Sequence, residues 1–144
     1  MGTREHSCCF FGHRKIDETP KLTENLKKTV ESLIKEKGVT YFCFGSNSEF
    51  DSLCHKVVTD LKEKYPYIQR IDVRSAYSDI TDSYKAYLLE DYEETYFPEK
   101  MRGAGKAAYV ERNQEMVNQS SFCVVYFDEN YAPPRRNSKR DLDY

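Results

Sequence analysis

Two basic side chains directly follow a glycine at the end of a short apolar run. Residues 8–11 form the run, Gly12 ends it, and His13 and Arg14 come next. Such a cationic pair suits an anion, and arginine forms paired hydrogen bonds with phosphate. Gly12 lets the backbone turn or approach a ligand closely. The pattern predicts an anion site at Gly12, His13 and Arg14, although His13 can equally turn inward and hydrogen-bond the backbone to hold the loop.

A small polar loop is the second candidate site. Gly45, Ser46 and Asn47 follow another apolar run and precede a helical pattern. The backbone N–H groups at a helix amino terminus attract anions, and the polar side chains add donors. The same segment also fits a helix cap, with Ser48 as the N-cap and Asp51 three residues later. Asp51 could instead accept a hydrogen bond from a ribose hydroxyl. The two interpretations are compatible, and on the loop alone the cap is favoured.

The third candidate is the pair Arg112 and Asn113, within a segment of helical periodicity. In a helix, Arg112 shares a face with Tyr109 and with Met116. Periodicity alone favours an ordinary amphipathic helix with a solvated charged face over a binding site.

Apolar runs that alternate with helical periodicity predict the elements that position these residues. Strands are predicted over residues 8–11, 39–44, 68–73, 94–98 and 121–127, and helices over 20–37, 50–65, 83–92 and 107–119. Strands joined by helices indicate an α/β fold, a Rossmann-like three-layer sandwich with a mainly parallel sheet. Ligands bind at the carboxyl ends of the strands in such folds, and all three candidates are expected there.

The predicted boundaries suggest one domain over residues 1–144, with a polar tail from about residue 128. Thr19 is expected to cap the first helix and Gly38 to end it. Ala108, Val110, Met116 and Val117 are buried candidates of the last helix. No G-x-G-x-x-G motif follows the first strand, so the usual dinucleotide fingerprint is missing.

Composition limits the classes of partner. The chain carries 22 basic and 24 acidic residues, a net charge of −2, so we expect neither nucleic acid nor membrane as a partner. A short basic group at residues 135–140 fits a solvated tail. The five cysteines are an odd number, mostly in apolar runs, which is typical of reduced thiols in a cytoplasmic protein. No C-x-x-C pair occurs, so we expect no metal site, and we expect no cofactor.

Three segments together resemble a known family. Residues 8–14 look like the "(C)CFTGHR" opening of the YpsA-like proteins of the SLOG superfamily, which includes DprA/Smf and LOG proteins. Phe44 and Gly45, with Phe50 and Asp51, resemble the family's "GGAxGFD" loop. Residues 111–117 resemble the "RKxxM" helix of LOG enzymes, whose arginine works at a glycosidic bond. The resemblance implies a Rossmann-like fold and a nucleotide-type ligand.

The chain departs from the family in two places. The second loop carries Ser46, Asn47, Ser48 and Glu49 where the family has glycines and alanine. The family also places a Gly-Gly-Thr or Ser-Gly-Thr phosphate loop and a further helix after the last strand, and in LOG enzymes a catalytic glutamate. Tyr144 comes before any such loop. Either the C-terminal part is truncated, or the natural protein lacks this half of the site.

These observations favour a protein that binds a nucleotide or nucleotide-derived ligand, of the ADP-ribose, NAD or nucleoside monophosphate type. Arg14 and His13 would contact phosphate or ribose, the Gly45 loop would supply donors, and Arg112 and Asn113 would lie across the cleft. One alternative is a hydrolase of the nucleotide N-glycosidic bond, with Glu49 or Glu111 as its carboxylate. Another is a non-catalytic regulatory or interaction module, for which a homodimer is one expected arrangement.

Overall fold

A five-stranded, all-parallel sheet forms the centre of the protein in a computed structural model. The structure describes residues 4–45, 48–77, 79–103 and 105–129. The strands are β1 (Ser7–Phe11), β2 (Tyr41–Phe44), β3 (Gln69–Val73), β4 (Glu94–Tyr96) and β5 (Phe122–Val125), and the helices are α1 (Pro20–Lys37), α2 (Glu49–Leu61), α3 (Asp82–Leu88) and α4 (Ala108–Asn118). The strand order is β4-β3-β2-β1-β5, which confirms the predicted Rossmann-like α/β fold.

Two apolar clusters cover the two faces of the sheet. On one face, Phe10 and Phe42 pack with the buried residues of α1 and α2. On the other face, Cys9 and Cys43 pack with Met116 of α4. Successive residues of a strand point to opposite faces, and here both sets are apolar because both faces are covered. The arrangement is a three-layer sandwich.

Local signals define α1 as the sequence predicts. Thr19 is the N-cap, and its side chain accepts a hydrogen bond from the backbone N–H of Leu22 at 3.1 Å. Pro20 stands at the first position, where its missing N–H has no helical partner to lose. Gly38 ends the helix with a φ of 68°, a left-handed conformation that glycine adopts without steric cost.

The structure corrects two predictions about burial. Val110 and Val117 of α4 were expected inside but are 68% and 46% exposed. Met116 is buried as expected, and Arg112 is the other buried residue of α4. Cys123 lies on the edge strand β5 and is exposed, whereas the other four cysteines are buried. Among the described residues, no helix is long and apolar enough to span a membrane.

Candidate functional site

Arg112 of α4 lies at the carboxyl edge of the sheet, where β2 and β3 end. Its Nη1 donates to the hydroxyl of Ser75, two residues after β3, at 3.1 Å. Its Cδ and Nε lie beside Gly45, which follows β2 directly. The side chain therefore leaves the α4 face and crosses the strand ends. This placement brings together three of the sequence-predicted site residues, since Asn113 follows Arg112 on the helix.

Burial of Arg112 is nearly complete, and its hydrogen-bond partners are neutral. The residue is 3% exposed. Besides Ser75, it donates to Asn113 Oδ1 from Nη2 at 3.3 Å and, more weakly, from Nε at 3.4 Å. Within the described residues, no carboxylate lies within 4.0 Å of the guanidinium. Buried charges in proteins are normally paired, so this guanidinium is suited to an anion.

The electrostatics of Arg112 follow from this burial. Desolvation lowers the pKa of the guanidinium, and the charges of Asp51, Tyr109 and Asp72 work in the opposite direction. The Tyr109 ring centre lies 5.3 Å from the guanidinium carbon, a cation–π contact. Tyr109 is itself 63% exposed, so its ring stands between Arg112 and solvent. The carboxylates of Asp51 and Asp72 therefore stabilise the Arg112 cation from a distance, and neither forms an ion pair with it.

Gly45 has a packing reason to be glycine. A Cβ there would lie 2.8 Å from the carbonyl oxygen of Val73 and 2.9 Å from Cδ of Arg112. Real Cβ contacts are longer, and the carbonyl belongs to the rigid strand β3. Gly45 thus leaves the space through which Arg112 reaches the strand ends.

Gly12 has a similar role at the end of β1. A Cβ on Gly12 would lie 2.4 Å from Cδ2 of Phe50 in α2. The next loop is tied to the same helix, because the backbone N–H of Glu49 donates to the carbonyl of Arg14 at 2.8 Å. The Arg14 side chain is exposed at this edge. Gly12 therefore allows β1 and the start of α2 to pack closely.

His13 hydrogen-bonds the backbone, which was the alternative interpretation of this residue. The backbone N–H of Asp128 donates to His13 Nε2 at 2.8 Å, and the ring contacts Tyr126 and Phe127. These residues follow β5, which lies beside β1 at the point where the strand order reverses. Open α/β sheets commonly bind ligands at this point. In this protein the His13 contact joins the two loops there.

The start of α2 confirms the cap predicted for it. Ser48 is the N-cap, and its hydroxyl accepts from the backbone N–H of Asp51 at 2.9 Å. With the Glu49 N–H bonded to Arg14, two of the terminal N–H groups already have protein partners. Asp51 is buried in the first turn. Ser46 and Asn47, the other predicted donors of this loop, lie outside the described residues.

Glu49, the carboxylate considered for hydrolysis, has other partners. Its Oε1 accepts from the backbone N–H of Ile16 at 2.9 Å, and its Oε2 lies 3.8 Å from Nζ of Lys15. Glu49 therefore holds the loop between β1 and α1. No group of three or more His, Cys, Asp or Glu side chains that could hold a metal occurs in the described part of the chain.

Sequence reasoning missed three polar residues at the same edge. Asp72 of β3 accepts a hydrogen bond from the Thr95 hydroxyl of β4 at 3.0 Å, and Arg74 Nε donates to the same hydroxyl at 3.1 Å. Burial raises the pKa of Asp72, although Thr95, Arg74 and Arg112 act against that rise. No motif marks these residues, because they meet only when β3 and β4 pair. The one signal in the sequence was that an aspartate, Asp72, lies within the predicted strand at residues 68–73.

Comparison with known families agrees with the fold and with the opening motif. A family model named YpsA, described as the YspA SLOG family, matches residues 1–139 of the 144-residue chain. The search of curated proteins found no match.

Proposed function

Since the chain belongs to the YpsA family of SLOG proteins, we propose that it binds a nucleotide or a nucleotide-derived ligand at the carboxyl edge of its sheet. The ligand class is that of ADP-ribose, NAD or a nucleoside monophosphate. Its phosphate lies beside Arg112, with Arg14 as a second cation on the loop after β1.

The observation that carries this proposal is the buried guanidinium of Arg112. The energetic cost of desolvating a charge is large unless an opposite charge or several hydrogen bonds compensate it. Arg112 has a hydroxyl and an amide as its described partners, and desolvation lowers its pKa. An incoming phosphate would supply the missing negative charge through paired, charge-assisted hydrogen bonds.

The remaining residues have supporting roles in this proposal. Gly45 leaves room for Arg112, and Asn113 orients its guanidinium through Oδ1. Asp51 stabilises the cation electrostatically from the first turn of α2. The cap on α2 uses donors that would otherwise face an anion, so the arginines contribute more to phosphate binding than the helix terminus does.

Calorimetry with ADP-ribose, NAD, AMP and cyclic nucleotides tests the proposal. A charge-assisted hydrogen bond contributes about 1.5–3 kcal/mol, so Arg112→Gln and Arg14→Ala should each weaken binding by roughly ten- to a hundredfold. Arg4→Ala is the matched control, because Arg4 is an exposed residue before β1, at the opposite edge of the sheet. Circular dichroism checks that each variant folds.

Two results would overturn the proposal. One is the failure of every ligand in the panel to bind the folded protein. The other is binding that survives both Arg112→Gln and Arg14→Ala at the affinity of the Arg4→Ala control.

Hydrolysis of the N-glycosidic bond is a second candidate, and Asp72 is the observation in its favour. Such a reaction needs a carboxylate that stabilises an oxocarbenium-like transition state or moves a proton. Asp72 is half-buried near Arg112, and burial raises its pKa. Release of free base from nucleoside monophosphates, followed by chromatography, tests this activity. An absence of free base after prolonged incubation would leave binding as the function.

A further inference from the structure

The carboxylate of Asp72 lies at the same end of the sheet as Arg112, so that a ligand bound to Arg112 would also reach Asp72. It stands one residue before the end of β3, and its register partners are Phe44 of β2 and Thr95 of β4. Residues in register point to the same face, so Asp72 lies on the α2 side, next to Phe44. Arg112 crosses the ends of the same two strands, because its side chain lies beside Gly45, directly after Phe44, and hydrogen-bonds Ser75, three residues after Asp72.

One oxygen of this carboxylate is held by the protein. Oδ2 accepts from Thr95 Oγ1 at 3.0 Å, and that hydroxyl accepts from Arg74 Nε at 3.1 Å. Arg74 is fixed in turn, because its Nη1 donates to the carbonyl of Tyr77. The chain from Arg74 through Thr95 therefore orients Asp72. Hydrogen bonds of this kind, from residues that do not touch the ligand, hold a binding group in one geometry.

The other oxygen retains its capacity to accept. In the described part of the chain, Oδ1 of Asp72 has no hydrogen-bond partner, and no cation lies within 4.0 Å of the carboxylate. The residue is half-buried, so water reaches part of it. An ionised carboxylate only accepts hydrogen bonds, and it repels phosphate. The ligand group that meets it must therefore be a hydrogen-bond donor, such as a hydroxyl.

We propose that Asp72 accepts a hydrogen bond from a ribose hydroxyl of the nucleotide whose phosphate is bound at Arg112. The inference rests on the proposed function and deepens it, because it assigns the sugar to Asp72. Opposite charges at the two positions orient the ligand, with phosphate toward Arg112 and the sugar toward Asp72. The site thereby selects a nucleotide with this hydroxyl over the deoxy analogue that lacks it. Thr95 is a positioning residue that acts through Asp72.

Calorimetric affinities for AMP, 2′-deoxy-AMP and 3′-deoxy-AMP provide the test. A site built to hydrogen-bond a hydroxyl rejects the analogue that lacks it, and we expect the wild type to prefer AMP over one deoxy analogue by about tenfold or more. In Asp72→Asn this preference should fall to about twofold, with the affinity for that deoxy analogue nearly unchanged, since the lost bond is absent from it.

Two further variants sharpen the interpretation. Asp60→Asn is the matched control, since Asp60 is exposed on α2 near the end of the helix farthest from the site, and it should keep the full preference. Thr95→Val removes the hydroxyl that orients Asp72, and it should reduce the preference to a value between those of the wild type and Asp72→Asn. Circular dichroism confirms folding in each case.

The outcomes separate the two proposals. Equal affinity of the wild type for AMP and both deoxy analogues overturns the assignment of Asp72 and leaves the phosphate site standing. An undiminished preference in Asp72→Asn does the same. Failure of AMP to bind, when ADP-ribose binds, also overturns it, because AMP carries both recognised groups. If no ligand of the panel binds, the proposed function itself fails, and this inference fails with it.

Discussion

Substitution of Gly12 by alanine tests the packing between β1 and α2. The added Cβ would lie 2.4 Å from Cδ2, 2.5 Å from Cγ and 2.8 Å from Cβ of Phe50. Rotation of the ring cannot relieve the contact with Cβ, which is attached to the helix backbone. Phe50 is 1% exposed and stacks on Tyr126 with ring centres 5.5 Å apart, so it has no free space to enter. The helix and the strand must therefore move apart.

The expected cost is that of an overpacked core. Overpacking typically destabilises by about 1–3 kcal/mol, and contacts this short favour the upper half of that range. Replacement of glycine by alanine also lowers the conformational entropy of the unfolded chain, and this offsets about 0.4–1 kcal/mol of the loss. We expect a net loss of about 1–2.6 kcal/mol in the free energy of unfolding. At roughly 2–4 °C per kcal/mol for a chain of this size, Tm should fall by about 2–10 °C.

Urea unfolding followed by far-ultraviolet circular dichroism measures this cost, and a second substitution identifies its origin. Phe50→Ala removes Cδ2 and Cγ, the two atoms that would lie nearest to the new Cβ. The double variant should therefore be more stable than the sum of the two single losses predicts, by about 1 kcal/mol or more. Gly103→Ala is the control, because its Cβ would meet no atom within 4 Å and its cost comes from a φ of 83°. Phe50→Ala should not change that cost.

Additive losses in Gly12→Ala and Phe50→Ala would refute the packing argument. So would a Gly12→Ala protein within about 0.5 kcal/mol of the wild type, which is the usual size of a surface effect. Either result would favour close approach of a ligand as the reason for glycine at this position.

Three further predictions concern the edge of the sheet. Gly45→Ala should displace Arg112 and weaken AMP binding by about tenfold in calorimetry, and wild-type affinity would contradict the contact between them. Because burial raises the pKa of Asp72, the native state keeps that proton to higher pH than the unfolded chain, and the free energy of unfolding falls as pH rises through the native pKa. Asp72→Asn should remove this fall in urea titrations from pH 4 to 8, and an unchanged slope would contradict it. His13→Phe loses the acceptor for Asp128 and should cost about 1 kcal/mol in urea unfolding, with AMP affinity unchanged. Weaker binding at full stability would instead assign His13 to the ligand.

Features with local causes could be predicted from the sequence. The bounds of α1 agree with prediction because Thr19, Pro20 and Gly38 act on their own neighbours. The cap at Ser48 follows in the same way, since its partner is three residues along the chain. Strand bounds agree less closely, and β2 begins at Tyr41 rather than at residue 39. Strand ends depend on partners that are distant in sequence.

The burial of residues on α4 could not be predicted from the sequence in this way. Its apolar residues suggested a buried stripe through Val110 and Val117, but both are exposed and Arg112 is inside. Helical periodicity relates residues on one helix to each other and carries no information on which face meets the sheet. Only the packing of Met116 against Cys9 and Cys43 determines that orientation.

The sequence by itself determined the alternation of strands and helices, the caps and the residue types available for an anion site. Apolar runs, caps and breakers act over a few residues, so these features can be read locally. The tertiary structure decided that Arg112 is buried at the ends of β2 and β3 and that Gly45 makes room for it. It also decided that Asp72 meets Thr95 beside this cation. Strand order, register and desolvation come from contacts between distant parts of the chain, and they set both the charge balance and the geometry of the site.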